Sequence, residues 1–190
     1  MTSKSYAAIL VAIALWLPAV LASLPSQPTP PAIKVKAPTP ESITSQFKAE
    51  QKQKQYARAA RQARWLFKSY GCNGELADSV GRSAVDLHLD VRVLTALIFV
   101  ESTCRKNVIS RVHGKEIAVG ATQVNYRVWK KYTREQLLNP EINIAYGSEI
   151  FASYVRRYGL REGLHHYNGL GDAGDGYAMR VLTVAGYSVN

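Results

Sequence analysis

The chain has 190 residues and a net charge of +10, from 24 Lys and Arg against 14 Asp and Glu. That charge is uneven: +2 over residues 1–43, +6 over 44–71 and +2 over 72–190. No zinc spacing, recognition-helix signature or RNA-binding aromatic motif accompanies it, which argues against nucleic acid as a partner, and no metal or cofactor motif is present.

Met1 to Ala22 reads as a secretory signal. Lys4 gives a positive start, Ala7 to Leu17 is an unbroken apolar stretch, and Val20-Leu21-Ala22 offers small residues at cleavage spacing. The competing reading is an uncleaved membrane anchor, against which Pro18 interrupts the run. Either way the protein is expected to be exported, to the periplasm or cell envelope, and tethered to the membrane if the leader stays on. Residues 23–43 form a linker: Pro25, Pro28, Pro30, Pro31, Pro38 and Pro40 favour extended geometry that cannot pack a core. What remains suffices for one compact domain, expected over residues 72–190.

Residues 44–71 read as a basic amphipathic helix. Tyr56, Ala60, Ala63, Phe67 and Tyr70 recur at three- and four-residue steps, while Lys54, Arg58, Arg61 and Lys68 fall on another face. Gly71 is a natural stop. The stripe can pack on the domain with a solvated basic face, or the basic face can meet an anionic membrane or wall polymer.

Leu76, Val80, Ala84, Leu87 and Leu89 predict a helix over Glu75–His88. Asp90 is a good N-cap for the next, Val91 to about Thr103. The apolar run Val91–Val100 ends in Glu101, and a carboxyl there is poorly solvated, which raises its pKa and suits a general acid. Arg105 to Asn125 lacks helical periodicity. Its glycines and β-branched residues predict a long loop with a short strand pair lining a cleft. Helices are then predicted over Tyr126–Tyr132, Pro140–Tyr158, Arg161–Tyr167 and Ala173–Tyr187, with Pro140 suited to a first helical turn. The class is mainly α, with a small β or loop excursion. Cys72 and Cys104 are the two cysteines. Export would make a disulfide between them plausible, pinning the chain before Leu76 to the segment after Glu101 and contributing about 3–4 kcal/mol through loop closure. Two unpaired thiols are the other reading.

Glu101-Ser102, Ser110, Gly120-Ala121-Thr122-Gln123, Asn139-Pro140-Glu141-Ile142-Asn143-Ile144 with Gly147, His166-Tyr167-Asn168-Gly169, and Tyr177-Ala178 with Val181-Leu182 follow one another in an order and spacing that resembles the soluble lytic transglycosylase (SLT) family. The resemblance covers Leu76 to Tyr187 and implies a goose-type-lysozyme-like fold acting on peptidoglycan glycan strands. It implies cleavage of the bond from N-acetylmuramic acid to N-acetylglucosamine by one glutamate, here Glu101. That group protonates the leaving oxygen while the substrate's acetamido group attacks the anomeric carbon, an exception to the two-carboxylate rule. As a base it then accepts the C6 hydroxyl proton, and a 1,6-anhydro ring closes without water. The resemblance puts Ser102 beside the acid, orienting it or capping backbone, and Ser110 near the acetamido group. It puts Gln123, Tyr167 and Asn168 along the sugar cleft, and the Tyr177 hydroxyl near the glutamate. Glu141 and Asn143 are read as fixing the start of their helix.

Three departures stand out. Ala121-Thr122 replaces the family's Leu-Met, which implies an altered sugar subsite. The loop between Ser110 and Gly120 is longer than usual, and His166, next to His165, stands where alanine is usual; the two histidines can be catalytic helpers but are read as surface or supporting groups. Two other functions stay open: a hydrolytic lysozyme with Glu116, Glu135 or Glu141 as second carboxylate, and a non-catalytic peptidoglycan-binding or assembly module. The family's settings include wall turnover, secretion, conjugation and pilus machinery, and phages.

Overall fold

A computed structural model describes residues 39–169 and 173–188. The leader and most of the linker lie outside the described residues. Within them, seven helices and one two-stranded sheet form a mainly α, lysozyme-like architecture.

Helix α1 (Pro40–Ser69) begins earlier than the charge pattern predicts. Thr39 accepts a hydrogen bond from the Ser42 amide, and Pro40, which needs no amide donor, takes the first turn. The expected linker end at residue 43 therefore falls inside the helix, which Pro40 opens. Ala59, Ala60, Ala63, Leu66 and Phe67 are buried, so the second half of α1 packs into the domain. Tyr70 adds a hydrogen bond from its hydroxyl to the Val184 carbonyl.

Helices α2 (Ala77–Leu87) and α3 (Val91–Ser102) follow. His88 closes α2 in the left-handed conformation, and Asp90 caps α3 by accepting from the Arg92 amide at 2.8 Å. Tyr187 donates to the same carboxylate at 2.8 Å, latching the end of the domain onto the start of α3. Val93, Leu94, Ala96, Leu97 and Ile98 are almost completely buried. With Val80, Phe67, Ile144, Phe151 and Val181 they make the main core. α3 stops abruptly because Thr103 and Cys104 both take positive φ. A disulfide joins Cys104 to Cys72, just beyond α1.

Strands β1 (Ile109–Val112) and β2 (Lys115–Val119) form an antiparallel hairpin with a bulge at Ser110/Arg111. The helix expected over Tyr126–Tyr132 does not form. Asn125 accepts from the Arg127 amide through its side chain and from the Trp129 amide through its carbonyl, making turns that go no further. The helix starts later, as α4 (Arg134–Leu137), where Thr133 and Gln136 build a capping box. α5 (Pro140–Tyr158) is capped by Asn139, and α6 (Leu160–Asn168) and α7 (Ala173–Val184) close the fold. A second, smaller cluster of Val119, Val124, Leu137, Tyr146 and Ile150 supports the hairpin side. Tyr167 packs against both clusters.

Candidate active site

A cleft of about 360 Å³ is lined by Glu101 from the end of α3, Ser110 and Ala118 from the hairpin, Gln123 and Val124 from the loop after it, and Tyr167 and Asn168 from the end of α6. Val128, Trp129, Tyr154 and His166 complete its walls. Its size suits a sugar ring and its substituents.

Glu101 is partly buried and is the only carboxylate lining the cleft among the described residues. Burial pushes its pKa up to about 7; a hydrogen bond from Tyr177 and the positive charge of Arg180 pull the other way without cancelling it. The Tyr177 hydroxyl donates to Glu101 Oε1 at 2.6 Å. Tyr177 is only 3% exposed, and burial raises its own pKa, so it stays a donor across the working pH range. The Tyr167 hydroxyl donates to the Thr122 carbonyl at 2.7 Å, which fixes its ring in the cleft wall.

The Gly120–Gln123 turn is the best-braced part of the site. Val119 and Val124 pair across it through both amides, at 3.1 and 3.0 Å. Asn143, fully buried in α5, accepts from the Thr122 amide and hydroxyl at 2.9 and 2.8 Å and donates to the Val119 carbonyl at 2.9 Å. All of its polar atoms are thereby used. Gly120 must be glycine twice over: its φ is +83°, and a Cβ there would lie 2.1 Å from Asn143 Nδ2. Gly147 lets Thr122 approach α5, since a Cβ there would lie 2.2 Å from the threonine hydroxyl. The turn leaves Gln123 with φ of +49°, donating from Nε2 to the carbonyls of Gly120 and Val108 at 2.8 and 3.2 Å.

Some expected roles change. Of its two expected roles Ser102 takes the backbone one: it is 2% exposed and donates to the Ile98 carbonyl one turn back, not to Glu101. Ala121 and Thr122 are fully buried and face away from the cleft, so they form no sugar wall. A threonine points inward here because its hydroxyl finds Asn143. Asn143 does not fix the start of α5, which is the work of Asn139; it anchors the turn instead. Glu141 is mostly exposed, 3.5 Å from Arg82. Glu116 is held by Arg111 and Arg134, Glu135 is exposed beside Arg134, and none of these three carboxylates lines the cleft. His166 is more than a surface group. It lines the cleft, with its ring stacked 4.0 Å from Tyr158 and 5.7 Å from Tyr154.

The sequence reading passed over Val128, Trp129 and Tyr154. Their signal was present: an apolar Val-Trp pair in a segment rich in cations, with no helical partner. Val128 is 64% exposed, and Trp129 meets Tyr154 edge-on at 6.0 Å. Such apolar faces suit the C–H surface of a sugar. Among the described residues no group of His, Cys, Asp or Glu could hold a metal ion.

A mainly helical domain with a small hairpin and, among the described residues, a single partly buried carboxyl on its cleft defines a lysozyme-like protein. A family model described as "Transglycosylase SLT domain" matches residues 79–178, more than half of the chain, and the chain belongs to that family. It is accordingly a transglycosylase-type enzyme with peptidoglycan as its substrate class. The matched stretch runs from α2 into α7 and leaves α1 outside. No curated protein and no solved structure matches the chain.

Proposed function

We propose that the protein cleaves the glycosidic bond from N-acetylmuramic acid to N-acetylglucosamine as a lytic transglycosylase, with Glu101 as its one general acid and base. The observation that carries this reading is a carboxyl that stands alone on the cleft among the described residues, its pKa raised to about 7 by burial, and bonded to Tyr177. A group with that pKa is protonated in a useful fraction of molecules at neutral pH and can also accept a proton back.

In the first step Glu101 gives its proton to the leaving glycosidic oxygen as the bond to the anomeric carbon breaks. The acetamido oxygen of the muramic residue attacks that carbon and carries the developing charge. Glu101 is now a carboxylate, stabilised by the Tyr177 hydroxyl and the Arg180 charge. In the second step it takes the C6 hydroxyl proton; the C6 oxygen displaces the acetamido oxygen and closes the 1,6-anhydro ring. One proton leaves Glu101 and one returns, and no water enters. Ser110, Gln123, Tyr167 and Asn168 are assigned to binding the sugar and its acetamido group, and Tyr177 to stabilising the carboxylate. We propose a location in the periplasm or cell envelope, a reading supported by the leader-like sequence of residues 1–22 and by a peptidoglycan substrate.

Digestion of purified peptidoglycan by the parent and by Glu101→Gln tests the assignment. The parent is expected to release muropeptides, and the variant, folded by circular dichroism, to release none. Equal release by the two would overturn it.

A further inference from the structure

The basic helix carries more than charge. In α1, Phe47 and Trp65 are 60% and 68% exposed, and Ile43 is 53% exposed. Eighteen residues make about five helical turns, so Phe47 and Trp65 lie on one line, about 27 Å apart along the axis. Lys54 and Arg58 fall within about 20° of that line, and Arg61 and Ile43 within about 40°. The residues that pack on the domain (Ala60, Ala63 and Phe67) lie on the opposite side. The helix thus shows solvent a stripe in which Phe47 and Trp65 flank Lys54, Arg58 and Arg61, on the side away from its buried residues.

The intramolecular ion pairs follow the same division. Lys52 pairs with Asp86 at 2.8 Å and Arg64 with Asp78 at 3.0 Å, both toward α2. Arg58, Arg61 and Lys68 form no ion pair among the described residues, and Lys54 meets only Glu50 on its own helix. The cations paired with α2 are those that face it; on the stripe, Arg58 and Arg61 have no ion pair among the described residues and Lys54 has only Glu50.

We propose that this face of α1 docks on an anionic lipid bilayer, with the helix lying along the surface. The cations would meet lipid phosphates while Phe47 and Trp65 enter the headgroup region, where an aromatic ring is better placed than in water. A soluble polyanion would satisfy the cations and leave three large apolar side chains exposed, which is why the bilayer is favoured. Among the described residues no helix is long and apolar enough to cross a membrane. Docking would hold the domain close to the membrane surface.

The full chain is tested by cosedimentation with vesicles of phosphatidylcholine, with and without phosphatidylglycerol. Retention is expected on the anionic vesicles, weakening as salt rises. The combined change Arg58→Glu, Arg61→Glu and Lys68→Glu is expected to reduce affinity roughly a hundredfold, and Phe47→Ala with Trp65→Ala about tenfold. All forms share the same leader, so the differences isolate the stripe. Their release of muropeptides from soluble glycan strands is expected to match the parent. Equal retention of parent and triple-charge variant would overturn the proposal, as would equal binding to both vesicle types. Binding of soluble polyphosphate without binding of vesicles would overturn it in favour of a polymer ligand.

Discussion

The hydroxyl of Tyr177 donates a 2.6 Å hydrogen bond to Oε1 of Glu101, tying the centre of α7 to the end of α3. Burial makes the carboxyl harder to ionise and this bond makes it easier. The working acidity of Glu101 is the balance of the two.

The first consequence is a pH profile. Because Glu101 must begin protonated, kcat/KM is expected to fall above about pH 7. Tyr177→Phe removes the contact that favours the carboxylate, so its alkaline limb should move to higher pH while kcat drops. Initial rates on soluble glycan strands across pH 5 to 9 check both. An alkaline limb that stays where it was in Tyr177→Phe would contradict the stated balance.

The same shift bears on stability. The Glu101 pKa is raised in the folded state, so its favourable contribution is complete at acid pH, below the ordinary carboxyl value. It is lost as pH rises through about 7. Glu101→Gln should therefore gain stability relative to the parent between pH 5 and pH 8, by up to about 3 kcal/mol. Denaturant midpoints of the two proteins at these pH values measure it.

Asn143 holds the Gly120–Gln123 turn from below through three side-chain hydrogen bonds to Val119 and Thr122. Asn143→Ala leaves the Thr122 amide buried without its partner and the Val119 carbonyl with the Val124 amide alone, and should cost about 2–4 kcal/mol. Activity at a temperature where the variant remains folded should fall as well, because Gln123 and the Tyr167 acceptor at Thr122 move with the turn. Chemical denaturation and muropeptide release report the two effects separately.

Reduction of the Cys72–Cys104 bond frees the segment that follows Glu101 from the end of α1. A Cys72→Ser, Cys104→Ser protein should be less stable by about 3–4 kcal/mol. Thermal unfolding of the parent with and without reductant gives an independent reading.

His166→Ala restores the side chain usual in the family. The histidine lines the cleft on a stacked base of Tyr158 and Tyr154 and touches none of the groups around Glu101 through a hydrogen bond. KM should therefore rise severalfold with little change in kcat.

How much of this could be read from the sequence depends on how local the determinants are. Asp90 as a cap, the apolar run into Glu101, the strand pair and the Pro140 start are set by neighbouring residues, and each is visible in the chain. The inward turn of Thr122 is not local. It is fixed by Asn143 and Gly147 on α5, more than twenty positions away, so the motif that replaces Leu-Met looked like an altered sugar wall. The segment Tyr126–Tyr132 carries a helical residue pattern and Asn125 opens it as a helix cap would, yet the i to i+4 bonding stops at Trp129 and only turns form. Ser102 sits next to the acid in sequence but one helical step turns it into the core.

The mass of the released products tests the central claim most directly. Mass spectrometry of muropeptides from purified peptidoglycan is predicted to find chains ending in 1,6-anhydro-N-acetylmuramic acid. Products heavier by one water, with reducing ends, would contradict the account and make the protein a hydrolase.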